Sequence, residues 1–105
     1  MKSIILEGCE KEINKFPDHV IDDFLDIVEQ MENGLKLAPK ISKRMQGIGL
    51  GVFELRLKDR NGIYRIIYFL KKAHAIYFIH GFKKKTQKTP KKNIDLARKR
   101  IRRIK

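Results

Sequence analysis

The chain has 105 residues, with 25 Lys and Arg against 12 Asp and Glu, a formal net charge of +13. That length supports one domain spanning 1–105 with a modest core, and 42% hydrophobic residues exclude a disordered basic tail. The single Cys9 excludes an intrachain disulfide and fits a reducing cytoplasm, while no apolar run is long enough for a signal peptide or a membrane span.

Ser3–Leu6 reads as a short strand ended by Glu7-Gly8. From Pro17 the pattern turns helical: Val20, Ile21, Phe24, Leu25, Val28 and Met31 recur on one face while Asp22, Asp23, Asp26 and Glu29 point to water. Pro17 and Asp18 suit a first turn, and Asn33-Gly34 supplies the stop. Residues 36–49 lack a period and read as a connector, with room for a short helical turn around Ile41–Met45. Val52–Lys58 then alternates cleanly, with Phe53, Leu55 and Leu57 on one face and Glu54, Arg56 and Lys58 on the other. Asn61-Gly62 marks a hairpin into Ile63–Leu70, a strand apolar enough to be covered on both faces. A turn at 71–74 leads to the last strand, Ala75–Phe82, where alternation puts Phe78 and Phe82 on the face of His80.

Beyond Pro90 a helix returns, with Ile94, Ala97, Ile101 and Ile104 as a narrow apolar stripe inside a Lys/Arg surround. The order predicts an α+β fold: a small antiparallel sheet, two helical segments on its N-terminal side and one helix at its C-terminus.

Charge is segregated along this order. Residues 1–40 hold nine acids and five bases, and residues 41–105 hold three acids and twenty bases. A basic back half of this kind points to an acidic partner, above all nucleic acid. No stretch is both basic and apolar at helical period in the way a membrane-surface helix needs, so a membrane surface is not expected. His19, His74, His80 and Cys9 have no metal-ligand spacing, and no phosphate-loop glycine motif occurs. Neither a metal nor a small-molecule cofactor is expected. The basic half offers only Glu54, Asp59 and Asp95 as carboxylates, too few for a two-metal nuclease.

What remains is chemistry done by cations. Arg65 sits mid-way in an apolar strand, where an unpaired charge is prohibitive. It pairs with Glu54 across the hairpin, or grips a phosphate with its planar fork. His80 is an acid–base candidate or a satisfied core histidine. The run Lys83, Lys84, Lys85 and Lys88, between a strand end and a proline-started helix, frames a ligand groove.

Three segments, 52–58, 62–68 and 80–90, taken in order with the connector around Leu37-Ala38-Pro39 and Gly47-Ile48-Gly49-Leu50, resemble the phage-derived Gp49-like/HigB branch of the RelE-type toxins. The resemblance covers essentially the whole chain. It implies the toxin of a type II toxin–antitoxin pair, an endoribonuclease cutting mRNA, usually on the ribosome. A helix-turn-helix antitoxin of the HigA type would be its protein partner. The family's basic site residues map onto Arg56, Arg65, Lys83, Lys84 and Lys85. No tyrosine follows Tyr77, which leaves His80 and a cluster lysine as acid–base candidates. Arg56, Arg65, His80, Lys84 and Lys85 are thus the expected catalytic set. Lys58, Arg60, Lys83, Lys88, Lys91 and Lys92 are expected to hold the RNA. The competing expectation is a basic module of the same fold that docks on RNA or ribosome without cutting.

Overall fold

The computed structural model of the chain describes residues 1–45, 47–72, 74–84 and 88–104. Its elements follow in the order β1 (Lys2–Ile5), α1 (Glu7–Ile13), α2 (Asp18–Glu32), β2 (Ser42–Arg44), β3 (Val52–Asp59), β4 (Gly62–Lys71), β5 (Ala75–Lys84) and α3 (Lys91–Ile104). The α+β class is as expected. The five strands form one sheet in the order β1-β5-β4-β3-β2. It is mixed rather than purely antiparallel, because β1 runs parallel to β5. No tight turn joins these two strands, so their relative direction is free of the hairpin constraint.

The central meander forms where alternation and turn chemistry agree. Asp59 pairs with Gly62, leaving Arg60-Asn61 as the turn, and the Asn61 amide donates to Asp59 Oδ1 at 2.8 Å. β4 lies between β3 and β5 and is buried along 64–69. Odd and even residues then serve two separate cores. Leu55, Leu57, Tyr64, Ile66, Tyr68 and Phe78 pack beneath α1 and α2, with Val20, Phe24 and Met31 as the helix contribution. Phe24 meets Phe78 edge-on at 5.0 Å, a geometry worth about 0.5–1.5 kcal/mol beyond burial. On the other face Val52, Ile67, Phe69 and Ile79 pack against Ala97 and Ile101 of α3.

Three local expectations change. The helical turn expected around Ile41–Met45 is strand at 42–44, because Ser42–Arg44 pair with Phe53–Leu55. The second N-terminal-side helix is instead α1, directly after β1. On α2, Leu25 is 51% exposed and Ile27 takes its place in the core. A bulge also re-aims β5: Ile67 pairs with His80 but Tyr68 with Phe78, so Ile79 is an extra residue. Phe78 therefore joins the α2 side, while His80 and Phe82 stack at 5.2 Å on the α3 side. Gly81 lets α1 close onto this strand, since a Cβ there would stand 3.1 Å from Ile13 and 3.4 Å from Phe16.

Candidate nucleic-acid interface

The apolar stripe of α3 covers one half of its sheet face. The other half, which carries Glu54, Arg56 and Arg65, is left as a groove of about 370 Å³. Five cations line it, Lys43 and Arg44 from β2, Arg56 from β3, Arg65 from β4 and Lys88 before α3, against the single carboxylate of Glu54. Strand register assembles the floor. Arg56 pairs with Arg65, and Arg65 with Phe82, across three neighbouring strands.

Glu54 is the hub of this floor and is 2% exposed. Its Oε1 accepts a hydrogen bond from Arg65 Nη1 and lies 3.7 Å from Arg56 Nε. Its Oε2 accepts from the Thr89 hydroxyl at 2.9 Å. The carboxylate offsets part of the cost of burying Arg65, which alone would be prohibitive. Two donors stay over: the Nε atoms of Arg56 and Arg65 are buried and lack a hydrogen-bond partner among the described residues. Orphaned guanidinium donors beside a basic groove are what an oxyanion with two or more oxygens satisfies.

Of the expected site residues, Arg56, Arg65 and Lys88 come together here. Lys84 shares the face of Phe82 by alternation, is half-buried, and sits one step beyond Arg65 towards the sheet end. Lys85 lies outside the described residues. Lys83 points to the opposite face, its Nζ 5.7 Å from the centre of the Tyr64 ring. Lys58 is exposed at the β3 edge, in a separate cleft with Asp23 and Asp26, and Arg60 is exposed in the hairpin turn. Lys91 and Lys92 are exposed in the first turn of α3.

His80 is placed differently from a groove acid. It is 4% exposed, with Nδ1 2.8 Å from Glu12 Oε1 and Nε2 2.7 Å from Asn93 Oδ1. Glu12 also accepts from Arg100 at 2.8 and 3.2 Å and from the Gly81 amide at 3.2 Å. Burial by itself would raise the Glu12 pKa, but the hydrogen bonds from Arg100, His80 and Gly81 hold it below the ordinary 4.5. This strut ties α1, β5 and α3 together and takes up both imidazole nitrogens.

Compared with known families, residues 11–102 match the family described as phage derived protein Gp49-like (DUF891). The chain belongs to the Gp49-like family. It is a phage-derived, toxin-like family, and membership is compatible with a place in a toxin–antitoxin pair. No curated protein gives a significant match. In this Gp49-like chain the matched span takes in every groove residue and leaves out β1. No helix among the described residues is long and apolar enough to cross a membrane.

Sequence reasoning missed four groove residues of the Gp49-like chain. Glu54 was visible as the ion-pair partner of Arg65, but not as the centre of the site. Lys43 and Arg44 sit on a three-residue strand, too short to show a period. Thr89 was visible only as one of two hydroxyls in the basic segment before Pro90, not as a partner of Glu54.

Proposed function

We propose that this Gp49-like protein is the toxin of a toxin–antitoxin pair, acting as a metal-independent endoribonuclease of the HigB kind on mRNA, with ribosome-bound message as its target. Its protein partner is then an antitoxin of the helix-turn-helix HigA type. The observation that carries the reading is the pair of buried guanidinium Nε atoms, without a hydrogen-bond partner among the described residues, beside Glu54 on the floor of a five-cation groove.

RNA brings its own nucleophile, the 2′-OH, so the protein need only move protons and stabilise charge on the phosphate. A phosphate entering the groove competes with Glu54 for Arg56 and Arg65. It takes the forks, and the released carboxylate is then free to accept the 2′-OH proton. Arg56 and Arg65 hold the charge that builds on the non-bridging oxygens. Lys84, with Lys85 beside it in sequence, serves the leaving 5′-oxygen. The products are a 2′,3′-cyclic phosphate and a free 5′-OH. The donor set suits this chemistry: among the described residues the one carboxylate lining the groove is engaged by arginines rather than set among other metal ligands.

The test is cleavage of 5′-labelled single-stranded RNA, alone and on ribosomes, in the presence of EDTA. Cleavage is expected to persist, and Arg56→Ala to slow it by about 10²–10³-fold, the scale of losing one transition-state donor. RNA affinity should fall far less than the rate. Activity abolished by chelator and restored by magnesium would sink the mechanism.

A second reading, a non-catalytic RNA- or ribosome-docking module, is favoured by one observation. The described groove has no free imidazole or phenol, since His80 is bonded at both nitrogens and Tyr64 and Tyr68 pack on the opposite face. RNA binding that depends on Arg56, without cleavage on or off the ribosome, would establish it.

A further inference from the structure

A second cleft, of about 640 Å³, opens on the opposite face of the sheet, between the end of α2, the 35–39 connector and the strands. Its walls are apolar, with Met31, Leu37, Phe53 and Leu70 among them. Two of the large apolar side chains most exposed among the described residues stand at it, Met1 at 47% and Leu35 at 59%. Scattered exposed apolar side chains need no explanation, but a methionine and a leucine together at the mouth of one apolar cleft mark an interaction surface. Among the described residues the charged side chains lining it are Lys36 and Arg44, with no carboxylate, and the Met1 ammonium is bonded to the Glu32 carbonyl oxygen at 2.7 Å. The nearby Glu32 carboxylate is turned to the Ser3 hydroxyl.

Arg44 links this cleft to the groove. It lines both, from the edge strand β2. It is exposed, lies 5.9 Å from the centre of the Phe53 ring and has no ion pair among the described residues. Its guanidinium is therefore free to serve either side at little cost.

We propose that this cleft docks an acidic amphipathic helix of a protein partner. The apolar stripe of that helix covers Leu35, Leu37 and Phe53, its carboxylates pair with Lys36 and Arg44, and docking withdraws Arg44 from the RNA groove. Helix-in-groove recognition needs this combination of an apolar trough and complementary rim charge. The withdrawal of Arg44 rests on the reading of the groove as an RNA site, whereas the docking itself does not.

The probe is a fluorescein-labelled 16-residue helical peptide with leucines at i, i+3, i+4 and i+7 flanked by glutamates, read by fluorescence anisotropy beside its lysine-for-glutamate twin. The glutamate peptide is expected to bind the full chain at least about ten-fold tighter than the twin. Leu35→Ser should weaken it by a similar factor, and Arg44→Gln should remove most of the charge preference. Lys99→Gln/Arg102→Gln, on the outer side of α3, should leave binding unchanged. Leu35 and Arg44 are exposed, so these variants keep the fold, which circular dichroism checks. Peptide should also lower affinity for an uncleavable 2′-O-methyl RNA in the wild type, and not in Arg44→Gln.

Equal binding of both peptides, indifference to Leu35→Ser, or weakening by the α3 pair overturns the proposal in favour of nonspecific attraction to a basic protein. Self-association abolished by Leu35→Ser overturns it in favour of a second copy. If RNA fails to bind the groove but the peptide arms hold, the RNA reading falls and the docking site stands.

Discussion

Arg65 decides more about this molecule than any other side chain, because its position leaves it no neutral option. It is 6% exposed on the central strand, and Glu54 is its carboxylate partner. Replacing it with Ala strands a buried carboxylate, which costs about 3–5 kcal/mol of stability in comparable pairs. Loss of cleavage in that variant would therefore mix unfolding with catalysis. The double variant Glu54→Leu/Arg65→Leu separates them: denaturant melts should show most of the stability regained, while RNA cleavage stays absent. This residue was legible in the sequence, because a lone charge in an apolar strand must have a partner and the hairpin register put Glu54 close by. For His80 the satisfied, buried alternative fits, with Phe82 on its face as alternation required; what was not legible is the bulge at Ile79, which takes Phe78 off that face. Cys9 makes a simpler case. Burial, with Glu12 adding and Arg100 opposing, pushes its thiol up to about 12, so almost no thiolate exists at neutral pH. Iodoacetamide at pH 8 should leave the native thiol untouched while modifying the urea-unfolded chain, as read by mass spectrometry.

Among the elements, α1 contributes more than its seven residues suggest. Its apolar contacts are few, with Cys9 and Ile13 its buried residues, and this is why no helical period betrayed it. What it adds is Glu12, which meets His80 and Gly81 of β5 and Arg100 of α3. The Glu12 pKa lies lower in the folded state than the ordinary 4.5. A depressed carboxylate stabilises fully above the unfolded value and loses that contribution as pH falls through the folded one. Thermal stability should therefore decline between about pH 5 and the folded pKa of Glu12, in part through this group. Glu12→Gln should melt lower than wild type at pH 7, with the gap closing as pH drops below 4.5, the ordinary value. A gap that stays constant from pH 7 to pH 3 would remove the strut from the account. The expected α3 was legible for the opposite reason: fourteen residues gave its stripe room to repeat, and Ala97 and Ile101 are buried as the spacing required.

Over the whole molecule, the charge asymmetry of the chain becomes an asymmetry of faces. The acidic residues Asp22, Asp23, Asp26 and Glu29 stand exposed on α2, which packs on one face of the sheet, while the five-cation groove opens on the other. A polyanion approaching this field is drawn more strongly to the groove side. If the groove is the RNA site proposed above, the measurable consequence is the salt dependence of RNA binding. If the groove cations neutralise four or five phosphates of a single strand, the slope of log K against log salt is about −3, from roughly −0.7 per phosphate. Affinity then falls about 60-fold between 50 and 200 mM salt. Lys88→Ala should flatten the slope by about 0.7, with the same expected for Lys43→Ala. Asp22→Asn/Asp23→Asn on the far face should leave it unchanged even though the net charge rises. A slope that responds equally to both sets would mean that RNA sees only the overall charge, and that the groove holds no strand in a fixed place.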